Sequence, residues 1–220
     1  DARIIRGIMP AMAETEYGKA EPGLMVVITG PSGAGKDMVM NGLLERFPGM
    51  ERVVTYTSRP LNEARGEMDG VDYHFVTDEE FQEMRAKGKF LESVPYGEHF
   101  KGTTRGVVEQ VLAGVDVVWR IDMSRAAGVE ELFEDKFDRQ TAAALLARTV
   151  VIAIIPDRVE TLRQRWNEGR RGDRREFNRR MRQDARVWRE SKGEFDYVLV
   201  NCDGKQKETV GRVVEIIENL

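Results

Sequence analysis

The run Gly30-Pro31-Ser32-Gly33-Ala34-Gly35-Lys36-Asp37-Met38 carries the most legible chemistry in the chain. Its Gly-x-x-x-x-Gly-Lys spacing is that of a phosphate-binding loop. In such a loop the backbone N–H groups of Gly33 to Lys36 point at phosphate oxygens, and the following helix N-terminus adds partial positive charge. Lys36 then reaches the terminal phosphates. A Ser or Thr that holds Mg²⁺ ordinarily follows the lysine, but Asp37 stands there. Mg²⁺ is a hard ion well served by a carboxylate. Without metal that carboxylate would repel phosphate, so Asp37 predicts strong Mg²⁺ dependence. The opposing readings are a decayed loop and a plain glycine turn. The full run ahead of the lysine, between an apolar strand and a helix, argues against the plain turn.

Other groups are less decisive taken singly. Asp122 ends an apolar strand candidate, where a carboxylate needs a partner. Glu92 alone reads as a solvated surface carboxylate, and Tyr73 alone reads as core. Residues 158–190 hold 12 Arg against 6 Asp plus Glu. That excess fits a solvated helical face with ion pairs, or an RNA-binding patch.

The elements that must position these groups follow from apolar patterning. Leu24 to Thr29 is a short apolar run and reads as a buried parallel strand. A helix with Met38, Leu43 and Leu44 as its apolar positions follows the glycine loop. Further strands are expected at Arg52 to Thr57, Asp72 to Val76, Phe90 to Val94, Val115 to Ile121, Thr149 to Ile155 and Tyr197 to Val200. Thr77-Asp78-Glu79-Glu80 is a capping box that starts a helix to about Lys87. Thr103 is expected to open a helix through Leu112 that Gly114 stops. Pro156-Asp157 starts a basic helical stretch, and Val210, Val213, Val214 and Ile217 give a terminal helix one apolar face. Strands alternating with helices predict an α/β fold with an open, mostly parallel sheet flanked by helices. Ligands of such sheets bind at the carboxyl ends of the strands.

Composition sets the outer bounds. A chain of 220 residues suits one domain with small inserted lobes, and 41% hydrophobic against 33% charged residues predicts a packed core. A net charge of −4 argues against nucleic acid as a partner of the whole chain. Cys202 is the only cysteine, which excludes an internal disulfide and a cysteine zinc cluster. No apolar run approaches the roughly 20 residues of a membrane span. Residues 1–23 are irregular, lack a starting Met and end in Pro22-Gly23, which reads as an N-terminal arm left by processing or by a cloning boundary.

Four further motifs follow the loop in order: Thr57 to Val76 (TSRPLNEARGEMDGVDYHFV), Phe90 to Thr103 (FLESVPYGEHFKGT), Val117 to Met123 (VVWRIDM) and Phe195 to Asn201 (FDYVLVN). Together they resemble the guanylate kinases, over about Leu24 to Leu220. Asp37, the Lys101-Gly102 pair and Arg120 two residues before Asp122 resemble the plant organellar branch. The resemblance implies a P-loop kinase fold over 24–220, with an inserted GMP-binding lobe at about 55–103 and a helical lid at about 165–182. It implies ATP and GMP as substrates, Mg²⁺ as cofactor with Asp37 as its ligand, and an organellar location. Plastid ranks ahead of mitochondrion, with cytoplasm as the further option.

Site roles follow from the same resemblance. Gly30 to Met38 would bind ATP. Arg59 would grip the GMP phosphate, with Thr55 and Tyr73 beside it. Glu92 and Asp122 would select guanine, with Thr103 on the base side. Glu67 and Asp72 would orient the lobe's arginines. Arg165, Arg170 or Arg171, and Arg180 would close over the transferring phosphoryl group, which joins Lys36 and Arg59 as catalytic candidates. There are departures. Asn62 stands where a second phosphate-binding arginine is usual, and Arg65 in a lengthened loop is the candidate substitute. Lys101 replaces a common Tyr, and the lid spacing at Arg170-Arg171 is shifted. The stretch Glu134 to Arg148 is long and is expected to form a surface elaboration. An inactive domain serving a larger assembly is the alternative to the enzyme. A sugar-phosphate kinase is a further rival, one that would not need Glu92 and Asp122.

Overall fold

The structure, a computed structural model, describes residues 21–63, 66–169, 174–191 and 193–220. The expectations for Arg65, Arg170, Arg171 and most of the N-terminal arm lie outside the described residues.

β1 (Met25–Thr29) is buried along its whole length. It pairs in parallel with β7 (Val117–Arg120) and β8 (Thr149–Pro156). β2 (Glu51–Arg52) extends the sheet beyond β7, and β9 (Tyr197–Asn201) extends it beyond β8, giving the order β2-β7-β1-β8-β9. Period-two alternation sends Met25 and Val27 to one face and Val26 and Ile28 to the other. Both faces are covered, which is why the strand reads as an unbroken apolar run.

On the first face lie α3 (Gly106–Leu112), α4 (Met123–Ala127), α5 (Val129–Lys136) and α6 (Arg139–Ala147), packing Val107, Val111, Met123, Phe133 and Leu145 against Trp119 and Val151. On the second lie α1 (Lys36–Arg46), α7 (Val159–Gly169), α8 (Arg174–Ser191) and α9 (Gln206–Glu218), through Val39, Leu43, Leu162, Phe177 and Val213. Among the described residues no helix is long and apolar enough to cross a membrane.

A second, four-stranded sheet comprises β3 (Tyr56–Thr57), β4 (His74–Phe75), β5 (Phe90–Tyr96) and β6 (His99–Thr104), in the order β4-β3-β6-β5. α2 (Asp78–Ala86) closes over it, with Phe81 stacked on Phe90 at 4.4 Å. The expected capping box starts this helix: Glu80 N–H donates to Thr77 Oγ1 at 3.1 Å, and Thr77 N–H donates to Glu80 Oε2 at 2.8 Å.

Three expectations are corrected. The strand expected over Arg52 to Thr57 is two strands in different sheets. Val53 N–H still bonds Val118 of the main sheet, whereas the Thr55 carbonyl already accepts from His74. The helix expected from Thr103 begins at Gly106, because Thr103 pairs with Glu92 across the β5–β6 hairpin. Tyr96 and His99 flank its two-residue turn, where Gly97 takes φ 69°. The stretch Glu134 to Arg148 is a surface elaboration only in part: residues 134–136 and 138–140 are exposed, whereas α6 buries Thr141, Ala142, Ala144 and Leu145, with Ala142 and Leu145 in the first-face core.

Candidate active site

The site lies at the carboxyl ends of β1 and β7, as the parallel topology requires. β1 runs into Gly30 with φ 136°, where a Cβ would fall 1.9 Å from the Ile154 carbonyl oxygen. Gly35 is the N-cap of α1 with φ 97°, and a Cβ there would strike the Asn201 side chain at 2.4 Å. Both positions therefore require glycine. Asn201, buried at the end of β9, donates to the Ala34 carbonyl at 2.7 Å and accepts from Thr209 Oγ1 at 3.1 Å. Arg165 of α7 donates to the Gly33 carbonyl at 3.0 Å and pairs with Asp203 at 2.5 Å. The loop is thus held from β9 and from α7.

Lys36 Nζ donates to the carbonyls of Gly30 and Pro31 at 2.7 and 2.8 Å. Burial, reinforced by the nearby Arg120 guanidinium, lowers its pKa to about 8. The Asp184 carboxylate of α8 accepts from Ser32 N–H at 3.4 Å. Burial pushes Asp184 up despite the opposing charge of Lys36. Asp37, in the first turn of α1, has an exposed side chain that pairs with Arg120 at the end of β7.

Arg120 also donates to Tyr73 Oη at 2.8 Å, and Lys101 Nζ donates to the same oxygen at 3.1 Å. Burial opposes ionisation of the Tyr73 hydroxyl, but Lys101 and Arg120 outweigh it and hold its pKa below the ordinary value. Lys101 lies over the Tyr96 ring at 3.9 Å, and Arg180 of α8 lies over the same ring at 4.5 Å. Arg180 donates to Tyr96 Oη as well. Arg59 makes a bidentate pair with Glu67 at 2.7 and 2.6 Å and lies over the Tyr73 ring at 5.2 Å. Asn62 N–H also donates to Glu67, at 2.9 Å. Thr55 is half-buried just ahead of β3.

A separate polar cluster sits at the second sheet. Glu92 is buried and accepts from Thr103 Oγ1 at 2.8 Å, while Trp119 Nε1 donates to that hydroxyl at 3.0 Å. Burial, with the charge of Asp122 added, raises Glu92 to about 7. Glu92 Oε2 is buried without a hydrogen-bond partner, with Arg125 Nε at 3.9 Å. Asp122 is exposed and N-caps α4, accepting from Ser124 N–H at 3.1 Å and Ser124 Oγ at 2.5 Å.

The structure thus brings Lys36, Asp37, Tyr73 and Arg120 into one array, with Arg59 over Tyr73, and Glu92 and Thr103 into another. Arg120, Asp184, Asn201 and Tyr96 were not among the sequence candidates for the site. Arg120 and Asn201 carry the same signal that singled out Asp122: a polar residue closing a buried apolar strand. Asp184 has no such signal, since its partner on the loop is 152 positions away in the chain.

The guanylate kinase family model matches residues 23–220. A guanylate kinase of Symbiobacterium thermophilum is 37% identical over 182 residues, covering 82% of this chain and 79% of that protein. One of Paramagnetospirillum magneticum is 37% identical over 193 residues, covering 87% and 83%. The rice protein named guanylate kinase 2, chloroplastic/mitochondrial, is 36% identical over 197 residues, covering 89% of this chain and 64% of that protein. The crystal structure of guanylate kinase from Anaplasma phagocytophilum superposes with a TM-score of 0.66 at 26% identity, covering 90% of this chain and 86% of that one. The match spans the phosphate loop, the second sheet and helices α7 to α9 alike, and on these grounds the chain belongs to the guanylate kinase family.

Proposed function

We propose that this chain transfers the terminal phosphoryl group of ATP to GMP, giving ADP and GDP, with the site residues in the roles that follow. The observation that carries the residue assignment is the array from Lys36 through Arg120 and Tyr73 to Lys101, which joins the phosphate loop to the second sheet. Such an array suits a reaction whose catalysis is positioning and electrostatic stabilisation. The loop N–H groups and Lys36 hold the donor phosphates. Arg59, Tyr73 and Thr55 hold the acceptor phosphate; Arg59 offers the planar fork that matches it. Arg165 and Arg180 stabilise charge on the transferring group. Arg65, Arg170 and Arg171 are proposed on sequence grounds alone, in the acceptor lobe and the lid.

Glu92 is the base selector, with Asp122 at its side. A carboxylate accepts from the N1–H and N2–H₂ edge of guanine, whereas adenine would leave it unpaired. The buried Glu92 Oε2, which has Arg125 Nε at 3.9 Å but no hydrogen-bond partner, supports this role.

Asp37 is the proposed Mg²⁺ ligand. Its exposed carboxylate follows the loop lysine directly, a position suited to an ion held by one carboxylate together with substrate phosphates. When bound, Mg²⁺ neutralises charge on those phosphates. An organellar location is supported by the name of the rice relative, and plastid is ranked ahead of mitochondrion on the sequence resemblance alone.

The test is ADP release from ATP and Mg²⁺ with GMP, AMP or ribose phosphates as acceptor. GMP-dependent turnover lost in Lys36→Ala and Glu92→Ala is expected. Folded protein with no turnover on any acceptor would favour the inactive-domain reading. Undiminished activity of Glu92→Ala would favour a sugar-phosphate acceptor.

A further inference from the structure

Asp37 and Arg120 are unequal partners. The Asp37 side chain is 66% exposed and that of Arg120 only 19%. Asp37 can be approached from solvent, while Arg120 is walled in among other cations. Its charge acts on both Lys36 and Arg52 to disfavour theirs. Its other contact is the Tyr73 hydroxyl, which already takes Lys101. Asp37 is therefore the anion that balances Arg120 from the phosphate-loop side.

Asp37 meets Arg120 through one oxygen, and a divalent ion held by the same carboxylate would draw its negative charge away from the guanidinium, even from the second oxygen. Arg120 would then be half-buried with a weakened counter-ion, a costly arrangement. A phosphate dianion on the Tyr73 side restores balance, and a guanidinium binds it through two parallel hydrogen bonds.

We propose that Arg120 is a phosphate ligand that exchanges Asp37 for the acceptor phosphate when Mg²⁺ takes the Asp37 carboxylate, so that Arg120 couples the donor and acceptor sites. The proposal rests on the guanylate kinase reading above. Linkage makes the effect reciprocal: Mg²⁺–nucleotide tightens acceptor binding, and acceptor tightens Mg²⁺–nucleotide binding by the same factor.

The experiment is calorimetric titration of the full chain with GMP, with and without ADP plus Mg²⁺, a pair that cannot turn over. In the unsubstituted protein GMP affinity should rise roughly tenfold with Mg²⁺–ADP present. Arg120→Met should weaken GMP binding and abolish that gain. Asp37→Asn should bind GMP tightly even without Mg²⁺–ADP, because Arg120 is then already released. A gain that survives intact in Arg120→Met overturns the proposal. If that variant does not fold, Asp37→Asn decides: GMP affinity left at the unsubstituted, metal-free value overturns it. Protein that neither binds GMP nor turns it over removes the kinase reading and this proposal together. Normal GMP turnover with an intact gain in Arg120→Met removes this proposal alone.

Discussion

Glu92 and Thr103 face each other across the β5–β6 hairpin, joined by a 2.8 Å hydrogen bond that leaves the second carboxylate oxygen without a hydrogen-bond partner. The Thr103 hydroxyl is in turn fixed by Trp119 of the main sheet. The Glu92–Thr103 pair of the second sheet is therefore oriented by the central sheet. Thr103→Val would leave both Glu92 and Trp119 short of a partner. A stability loss of about 1–3 kcal/mol is expected for such buried polar groups, together with a higher KM for GMP. Thr103→Ser should recover most of both, as measured by urea denaturation and steady-state kinetics.

The same carboxyl predicts a pH dependence. Burial and then Asp122 raise Glu92 to about 7, against roughly 4.3 in an unfolded chain. Between these values the folded state binds more protons than the unfolded state. The stabilising contribution is complete below the lower value and is lost as pH rises through the upper one. Glu92→Gln should flatten the decline in stability between roughly pH 4.3 and 7. In the unsubstituted protein KM for GMP should rise as pH falls below 7, since the protonated carboxyl is a poorer acceptor. A GMP-specific profile unchanged in Glu92→Gln would refute the assignment.

Arg59 and Glu67 make a bidentate pair on the second sheet's loop. Burial opposes the Arg59 charge, and Glu67 more than restores it, so the guanidinium is held above its ordinary pKa. Glu67→Gln should loosen Arg59 without removing it. The expected result is a several-fold higher KM for GMP, with KM for ATP little changed. Arg59→Lys should be more damaging, because an ammonium lacks the planar fork.

Asn201→Ala would leave the Ala34 carbonyl and the Thr209 hydroxyl without the partners they have in Asn201. The penalty expected is about 1–3 kcal/mol for buried groups of this kind. Because Ala34 belongs to the phosphate loop, KM for ATP should rise more than KM for GMP. Calorimetric melting alongside two-substrate kinetics separates the stability effect from the kinetic one.

Asp184 places a half-buried carboxylate against Ser32 N–H and opposite Lys36. That charge opposes an incoming polyphosphate. Asp184→Asn should tighten ATP binding by a few-fold in direct titration. Weaker ATP binding would show instead that Asp184 supports the loop.

Much of this protein was determined by local sequence. The buried strand at Met25–Thr29, the glycine loop and the Thr77–Glu80 capping box depend on neighbours a few positions apart, and periodicity and glycine spacing reveal them directly. The resemblance carried by the ordered motifs supplied Arg59, Tyr73, Glu92 and Thr103, although one chain alone assigns none of them a partner. Only the tertiary structure decided which surfaces meet. It sent Arg52 and Tyr56 to different sheets, made Thr103 a strand residue, and placed Ala142 and Leu145, late in the stretch after Glu134, in the core. It also set Arg120 on Asp37, 83 residues away, and Asp184 on the phosphate loop. A pattern of apolar residues specifies that a side chain is buried or that a strand ends. It does not specify which distant charge lies opposite, because that pairing is fixed by how sheets and helices pack.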